Sequence, residues 1–162
     1  MTRIECKDSQ HPGVDVPGET LRGAVLDGLN LHRAVLESAD LAGASFRGSD
    51  LRGAFLTKAD LSGADLTKAS LIAAFLDGTR LSRAVLRDAR LMSACLDRAE
   101  LDGADLSGAL VGNTTFRDAN LRGASLLCQG LGEADLSGAT YDSATRWPTG
   151  FDPAARGAVQ RP

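Results

Sequence analysis

Large rings are scarce in this chain. Aromatic residues make up 4% of its 162 residues. Its interior cannot be built on them and must be filled by Leu and Ala, used many times over. Cysteine is scarce as well: Cys6, Cys95 and Cys128 are odd in number and far apart. That spacing argues against a disulfide framework and against a zinc site. No run approaches the ~18 apolar residues of a membrane span. The stretch from Met1 to Val16 carries scattered charges and no apolar segment of the kind a signal peptide needs. The expected location is the cytoplasm, with no membrane partner. No charge of one sign dominates either. The net charge is −3, and no basic block offers a footprint for direct nucleic-acid binding.

What the chain has in quantity is repetition. Every fifth residue from Leu21 to Tyr141 is bulky and apolar, giving 25 positions, of which 21 are Leu. The others are Phe46, Val111, Phe116 and Tyr141. Two places before the bulky residue stands Ala in 19 units, and two places after it stands Gly in 11. The sequence shows no insertion or deletion across this span.

A five-residue period excludes the two commonest elements. In an α-helix it advances ~500°, so successive Leu would smear around every face. In a flat strand side chains alternate with period two, so successive Leu would point opposite ways. A bend in every unit keeps them together. Ala points in, the next residue out, Leu in, and the last two turn a corner. Gly, Ser, Asp, Asn, Lys and Arg at the last position suit an exposed turn. Coils stacked at the usual ~4.8 Å strand spacing would then fill a narrow interior with alternating Ala and Leu.

The units Ala39-Asp40-Leu41, Ala59-Asp60-Leu61, Ala64-Asp65-Leu66, Ala104-Asp105-Leu106, Ala119-Asn120-Leu121 and Ala134-Asp135-Leu136 resemble the A-[D/N]-L-x-x motif of pentapeptide-repeat proteins. The resemblance implies an all-β fold, a right-handed quadrilateral β-helix with four units per coil and about six coils here. It divides the chain into an N-terminal arm or cap (1–18), a repeat rod (19–143) and a C-terminal cap and tail (144–162). Tyr141, Trp147 and Phe151 are read as a lid on the last coil, with docking of a second subunit as the other reading. The residues past Pro153 are expected to be loose.

The search for chemistry returns no catalytic, cofactor-binding or metal site. His11 and His32 have no nucleophile or carboxylate at a useful spacing. The expected function is non-enzymatic: a binding or scaffold module acting through an outer face on another protein or on a second copy. The alternative, drawn from the resemblance, is interaction with DNA gyrase or another topoisomerase by DNA mimicry, as in quinolone-resistance members. Against it, Glu19 to Asp142 holds 17 acidic and 13 basic residues, a net of −4. Arg80, Arg83, Arg87 and Arg90 also cluster there.

Four units per coil would stack positions twenty apart. Leu21, Leu41, Leu61, Leu81, Leu101 and Leu121 should form one internal column. Phe46 and Phe116 should sit on opposite walls. Leu29, Ser49, Thr79, Thr114 and Gln129 break the small inward position, and a buried Gln129 amide would need partners. One wall stands out on its exterior. The position before Leu is usually polar, but there it reads Val35, Phe55, Phe75 and Cys95, with Ile72 and Met92 at the adjoining corner. These six residues form the candidate interface. A plain aromatic ladder that stiffens stacked strands is the competing reading.

Overall fold

The protein is described by a computed structural model covering residues 1–7, 10, 13–16 and 20–162. From Leu21 onward each unit is a turn followed by a single extended residue that pairs with the next coil. In most units the carbonyl of the inward Leu accepts the N–H three residues on, as Leu61 does from Ala64 at 3.0 Å. Such a turn needs a left-handed residue at its third position. Glycine fills it at Gly63 (φ 66). Where glycine is missing, Lys68, Ala73, Arg83 and Ser93 adopt φ between 54 and 59 all the same. The preference for glycine two places after Leu is thus a backbone requirement.

Coils are joined by parallel bridges at a spacing of twenty, in four columns. One column runs Val35, Phe55, Phe75, Cys95, Thr115 and Asp135; another runs Asp40, Asp60, Arg80, Glu100, Asn120 and Thr140. The bonding repeats coil after coil. Leu61 N–H donates to Arg80 O at 2.7 Å, and Arg80 N–H donates to Ala59 O at 2.9 Å. Four units therefore make one coil. Leu41, Leu61, Leu81, Leu101 and Leu121 are fully buried in one stack, while Leu21 at the open end is half-buried. Phe46 follows the column of Ser45, and Phe116 follows that of Thr115. They lie on opposite walls, both fully buried.

Three buried hydroxyls at the small inward position are satisfied by one device. Ser49 Oγ donates to Leu26 O at 2.5 Å, Thr79 Oγ1 to Leu56 O at 2.8 Å and Thr114 Oγ1 to Leu91 O at 2.7 Å. Each bonds a carbonyl 23 residues back in the coil above, so the core keeps its polar groups paired.

The regular register fails at Gln129, contrary to the unbroken repeat of the sequence. Leu110 pairs with Gln129 at a spacing of nineteen. Cys128 takes the inward place, 7% exposed, while Gln129 turns outward and stands exposed. A thiol is easy to bury and an amide is not. Gly130, at φ 87, absorbs the extra residue before a 3-10 turn at Leu131–Glu133. Thr115 and Asp135 are back at twenty, and Ser125 with Arg146 is at 21.

Both ends of the rod carry short covers. At the N-terminus, β1 (Thr2–Ile4) pairs antiparallel with β2 (Val14–Val16), and Ile4 is buried against the core. Beyond β1 the chain bonds the edge of the first coil: Val35 N–H donates to Glu5 O at 2.7 Å and Lys7 N–H to Arg33 O at 2.9 Å. At the C-terminus, β3 (Thr140–Tyr141) pairs in parallel with β4 (Val159–Gln160). The expectation of a loose tail past Pro153 is thereby corrected. Val159 N–H donates to Ala139 O at 2.7 Å and Ala158 is buried. The free sheet edge recruits the tail as a further strand, which covers part of that edge. Trp147 stacks on Phe151 at 5.4 Å and meets Tyr141 edge-on at 5.5 Å.

Candidate protein-binding seam

The candidate wall is built by the repeat itself. Its outward residues stand one per coil, so a run of apolar residues at a spacing of twenty becomes a continuous stripe. The Phe55 and Phe75 rings lie 5.2 Å apart and 7° from parallel. Stacked rings of this kind add ~0.5–1.5 kcal/mol beyond the area they bury. Phe75 remains 47% exposed, and Val35, Phe55 and Cys95 are half-buried. Ile72 and Met92 occupy successive levels of the corner beside the stripe: Gly53 N–H donates to Ile72 O at 2.9 Å and Ala73 N–H to Met92 O at 3.0 Å. Both are half-buried. The structure brings all six predicted residues onto one wall and its adjoining corner.

One neighbour was not foreseen. Lys7 Nζ sits 4.2 Å from the centroid of the Phe55 ring. The first-coil edge holds the arm there through the Lys7 N–H bond to Arg33, and the ring's negative face attracts the ammonium. The sequence signal is faint, a single Lys far upstream of its ring. Trp147, Tyr141 and Phe151 form a separate cluster at the C-terminal end. His32 is half-buried, with its N–H donating to Asn30 Oδ1 at 3.1 Å; His11 lies outside the described residues.

The polar walls hold a second regularity. Aspartates before Leu accept the backbone N–H two residues on: Asp60 from Ser62 at 3.0 Å, Asp65 from Thr67 at 2.9 Å, Asp105 from Ser107 at 3.0 Å. They cap the corner turns. Many also bind an arginine eighteen residues earlier, in the coil above. Arg22 meets Asp40 at 2.9 Å, Arg47 meets Asp65 at 2.8 Å, Arg117 meets Asp135 at 2.6 Å, and Arg87 pairs with Asp105. Arg80 reaches Asp60 at 3.1 Å; Arg90 makes no ion pair among the described residues. The Arg22 guanidinium holds Asp40 below the usual carboxylate range. Asp135 falls to about 2, chiefly through the Ser137 hydroxyl and N–H and then Arg117. Exposed pairs of this kind add little to stability, because solvent screens them. Their larger effect is to interleave positive charge with the acidic columns.

These features define a class of protein: a β-solenoid of five-residue units whose outer walls display side chains in columns one strand apart. The chain belongs to the pentapeptide-repeat family. Its segments 20–53, 30–67, 44–83, 64–103 and 99–128 match the family described as Pentapeptide repeats, in eight copies. Among solved structures it is similar to alr5209, a pentapeptide repeat protein from Nostoc PCC 7120. That match has 34% identity and a TM-score of 0.61, and covers 63% of this chain and 84% of the other. It is also similar to Rfr23 from the cyanobacterium Cyanothece 51142, with 29% identity and a TM-score of 0.58, covering 78% and 89%. A solved form of QnrB1, a plasmid-mediated fluoroquinolone resistance protein, matches with 17% identity and a TM-score of 0.48, covering 87% and 84%. At that level it carries no argument about this chain. Among curated proteins none matches.

Proposed function

We propose that this protein is a non-enzymatic binding module that docks another polypeptide on the wall of Val35, Phe55, Phe75 and Cys95, widened by Ile72 and Met92. We read the rod as a right-handed quadrilateral of about six coils with an N-terminal arm or cap (1–18) and a C-terminal cap and tail (144–162), working in the cytoplasm where its free thiols stay reduced. The observation that carries the reading is the Phe55–Phe75 stack, of which Phe75 stays 47% exposed at the centre of the stripe. A stack that served only to stiffen the strands would need no apolar neighbours. Here Ile72 and Met92 extend it around the corner. Contiguous exposed apolar surface of this kind usually marks an interaction site. The topoisomerase alternative draws no support from the polar walls, whose aspartates are interleaved with arginines.

The test is the double variant Phe55→Ser with Phe75→Ser. Neither side chain fills the interior, so circular dichroism should match the wild type. Light scattering and affinity capture should show loss of whatever assembly the wild type forms. A wild type that is monomeric, with captured proteins identical for both forms, would remove the seam as a binding site.

A further inference from the structure

The arm ahead of the rod is attached unlike anything behind it. Cys6 bridges Ala34 antiparallel, whereas the isolated bridges from Val25 to Arg146 are all parallel. An antiparallel strand runs against the winding of the solenoid, so the arm is laid on the first coil and is not itself a coil. Arg3 meets Glu5 at 3.1 Å and Asp15 at 2.9 Å, which ties β1 to β2 as one unit. Ile4 is buried against the core, and Cys6 packs there half-buried. Two features of the seam's N-terminal end lie beneath this unit. One is the sheet edge. In the second coil Phe55 N–H donates to Ala34 O at 2.9 Å, but in the first Val35 N–H donates to Glu5 O at 2.7 Å, and Arg33 O accepts Lys7 N–H at 2.9 Å. The other is the Phe55 ring, whose centroid lies 4.2 Å from Lys7 Nζ. Lys7 thus spans from an edge bond on the first coil to a ring on the second, the same ring that stacks on Phe75. Glu5 and Lys7 are themselves exposed.

We infer that the arm is a detachable strap that regulates the seam. Docked, it masks the edge at Val35 and the face of Phe55. Released, it uncovers both, so the apolar stripe runs on into an open strand edge able to bond an extended segment. This inference rests on the seam reading given above and adds its regulation. Release leaves the rod intact, because the bonds that join one coil to the next do not pass through the arm. Local opening costs less than global unfolding and falls on segments with few buried apolar groups. Among the described side chains of the arm only Ile4 is fully buried. A partner that uses the whole length of the seam binds the released form, so its binding and arm release are linked. Lys7 is the catch. Its contact with Phe55 joins the arm to the very surface it masks, so weakening that contact frees the arm.

The experiment is timed alkylation of the native full chain, with Cys6 followed by mass spectrometry and Cys95 as an internal reference on the rod. The Cys6 thiol lies under the docked arm, so its rate reports the released fraction. In wild type Cys6 is expected to react more slowly than in the urea-unfolded chain, yet faster than global unfolding of the rod permits. Lys7→Gln should raise that rate about two- to fivefold, the range of one exposed cation–π contact. Lys7→Arg should restore the slow rate, since a guanidinium also stacks on a ring. Phe55→Ser should raise it likewise, and Lys7→Gln with Phe55→Ser should be no faster than either alone. Both positions are outside the core, and circular dichroism should confirm the wild-type fold for each variant. A Cys6 that reacts only as the rod unfolds overturns the inference, as does one that reacts at the unfolded rate. So do additive effects of the two substitutions, or a rate indifferent to Lys7. No partner is needed, so the seam reading is judged apart, by capture with Phe55→Ser plus Phe75→Ser. Loss of capture with Cys6 indifferent to Lys7 keeps the seam and removes the strap. Coupled Cys6 rates with no loss of capture remove the seam, and with it the strap's role.

Discussion

Arg117 reaches one coil down the rod to Asp135, Nε to Oδ2 at 2.6 Å, where the Ser137 hydroxyl and N–H already hold the same carboxylate. Together they set its pKa at about 2. A carboxylate depressed on folding stabilises the protein above its unfolded pKa of ~3.9 and loses that contribution as pH falls through the folded value. Stability should therefore decline between about pH 4 and pH 2. In Asp135→Asn the turn can still be capped, since Asn120 occupies the same place in its own unit, where Arg122 N–H donates to its Oδ1. Urea denaturation over that range should show a shallower acid loss for the variant. Identical pH profiles would contradict the assignment.

The corners make a paired prediction. Lys68 holds φ 59 at a position that glycine occupies elsewhere. Lys68→Gly should stabilise by roughly 0.5–1 kcal/mol, because the relief of left-handed strain exceeds the added freedom of the unfolded chain. Gly63→Ala should cost a similar amount. A Cβ there would meet no atom within 4 Å, so the loss is conformational and not steric. Chemical denaturation of both variants checks the opposite signs.

Burial along the axis sets a gradient. Leu71 is fully buried with coils on both sides, and Leu21 is half-buried at the open end. Leu71→Ala should cost ~2–5 kcal/mol and Leu21→Ala distinctly less. Equal losses by urea denaturation would show that the ends are as firmly held as the middle.

The thiols should divide by environment. Burial pushes Cys128 up to about 12, leaving almost no thiolate to react at neutral pH. In a Cys6→Ser, Cys95→Ser background the remaining thiol should resist a disulfide reagent at pH 8 until denaturant is added. Prompt reaction in the native state would place Cys128 outside the core and undo the register shift described for Gln129.

The period of the repeat was legible because it admits few solutions. Leu61 and Leu81 had to share a side, and the family resemblance supplied the number of units per coil. The stacking of Phe55 on Phe75 followed directly, since identical spacing means identical position. The role of the aspartates was less visible, although Asp60-Leu61-Ser62 and Asp65-Leu66-Thr67 carry the signal of a side chain accepting an N–H two residues on. The slip at Cys128 was harder still. Gln129 announced a conflict, but whether it would be buried with partners or displaced depended on the freedom that Gly130 lends the backbone. The β4 pairing could not be read at all. Val159-Gln160 has no pattern of its own and becomes a strand only because β3 offers an edge.

The constancy of the coil spacing bears on how such a rod is made. Between Val25 and Arg146 every bridge joins residues 19 to 21 apart. The loop closed at each step is therefore nearly the same length, and its entropic penalty is nearly the same from one end to the other. No step waits on a distant part of the chain, so growth can begin at any coil and proceed outward in both directions. Length then becomes a free variable. Excising residues 61–80 would carry Leu81 to the place of Leu61 and leave every wall in phase. A lineage can lengthen or shorten the rod by whole coils, each time changing its length by one strand spacing.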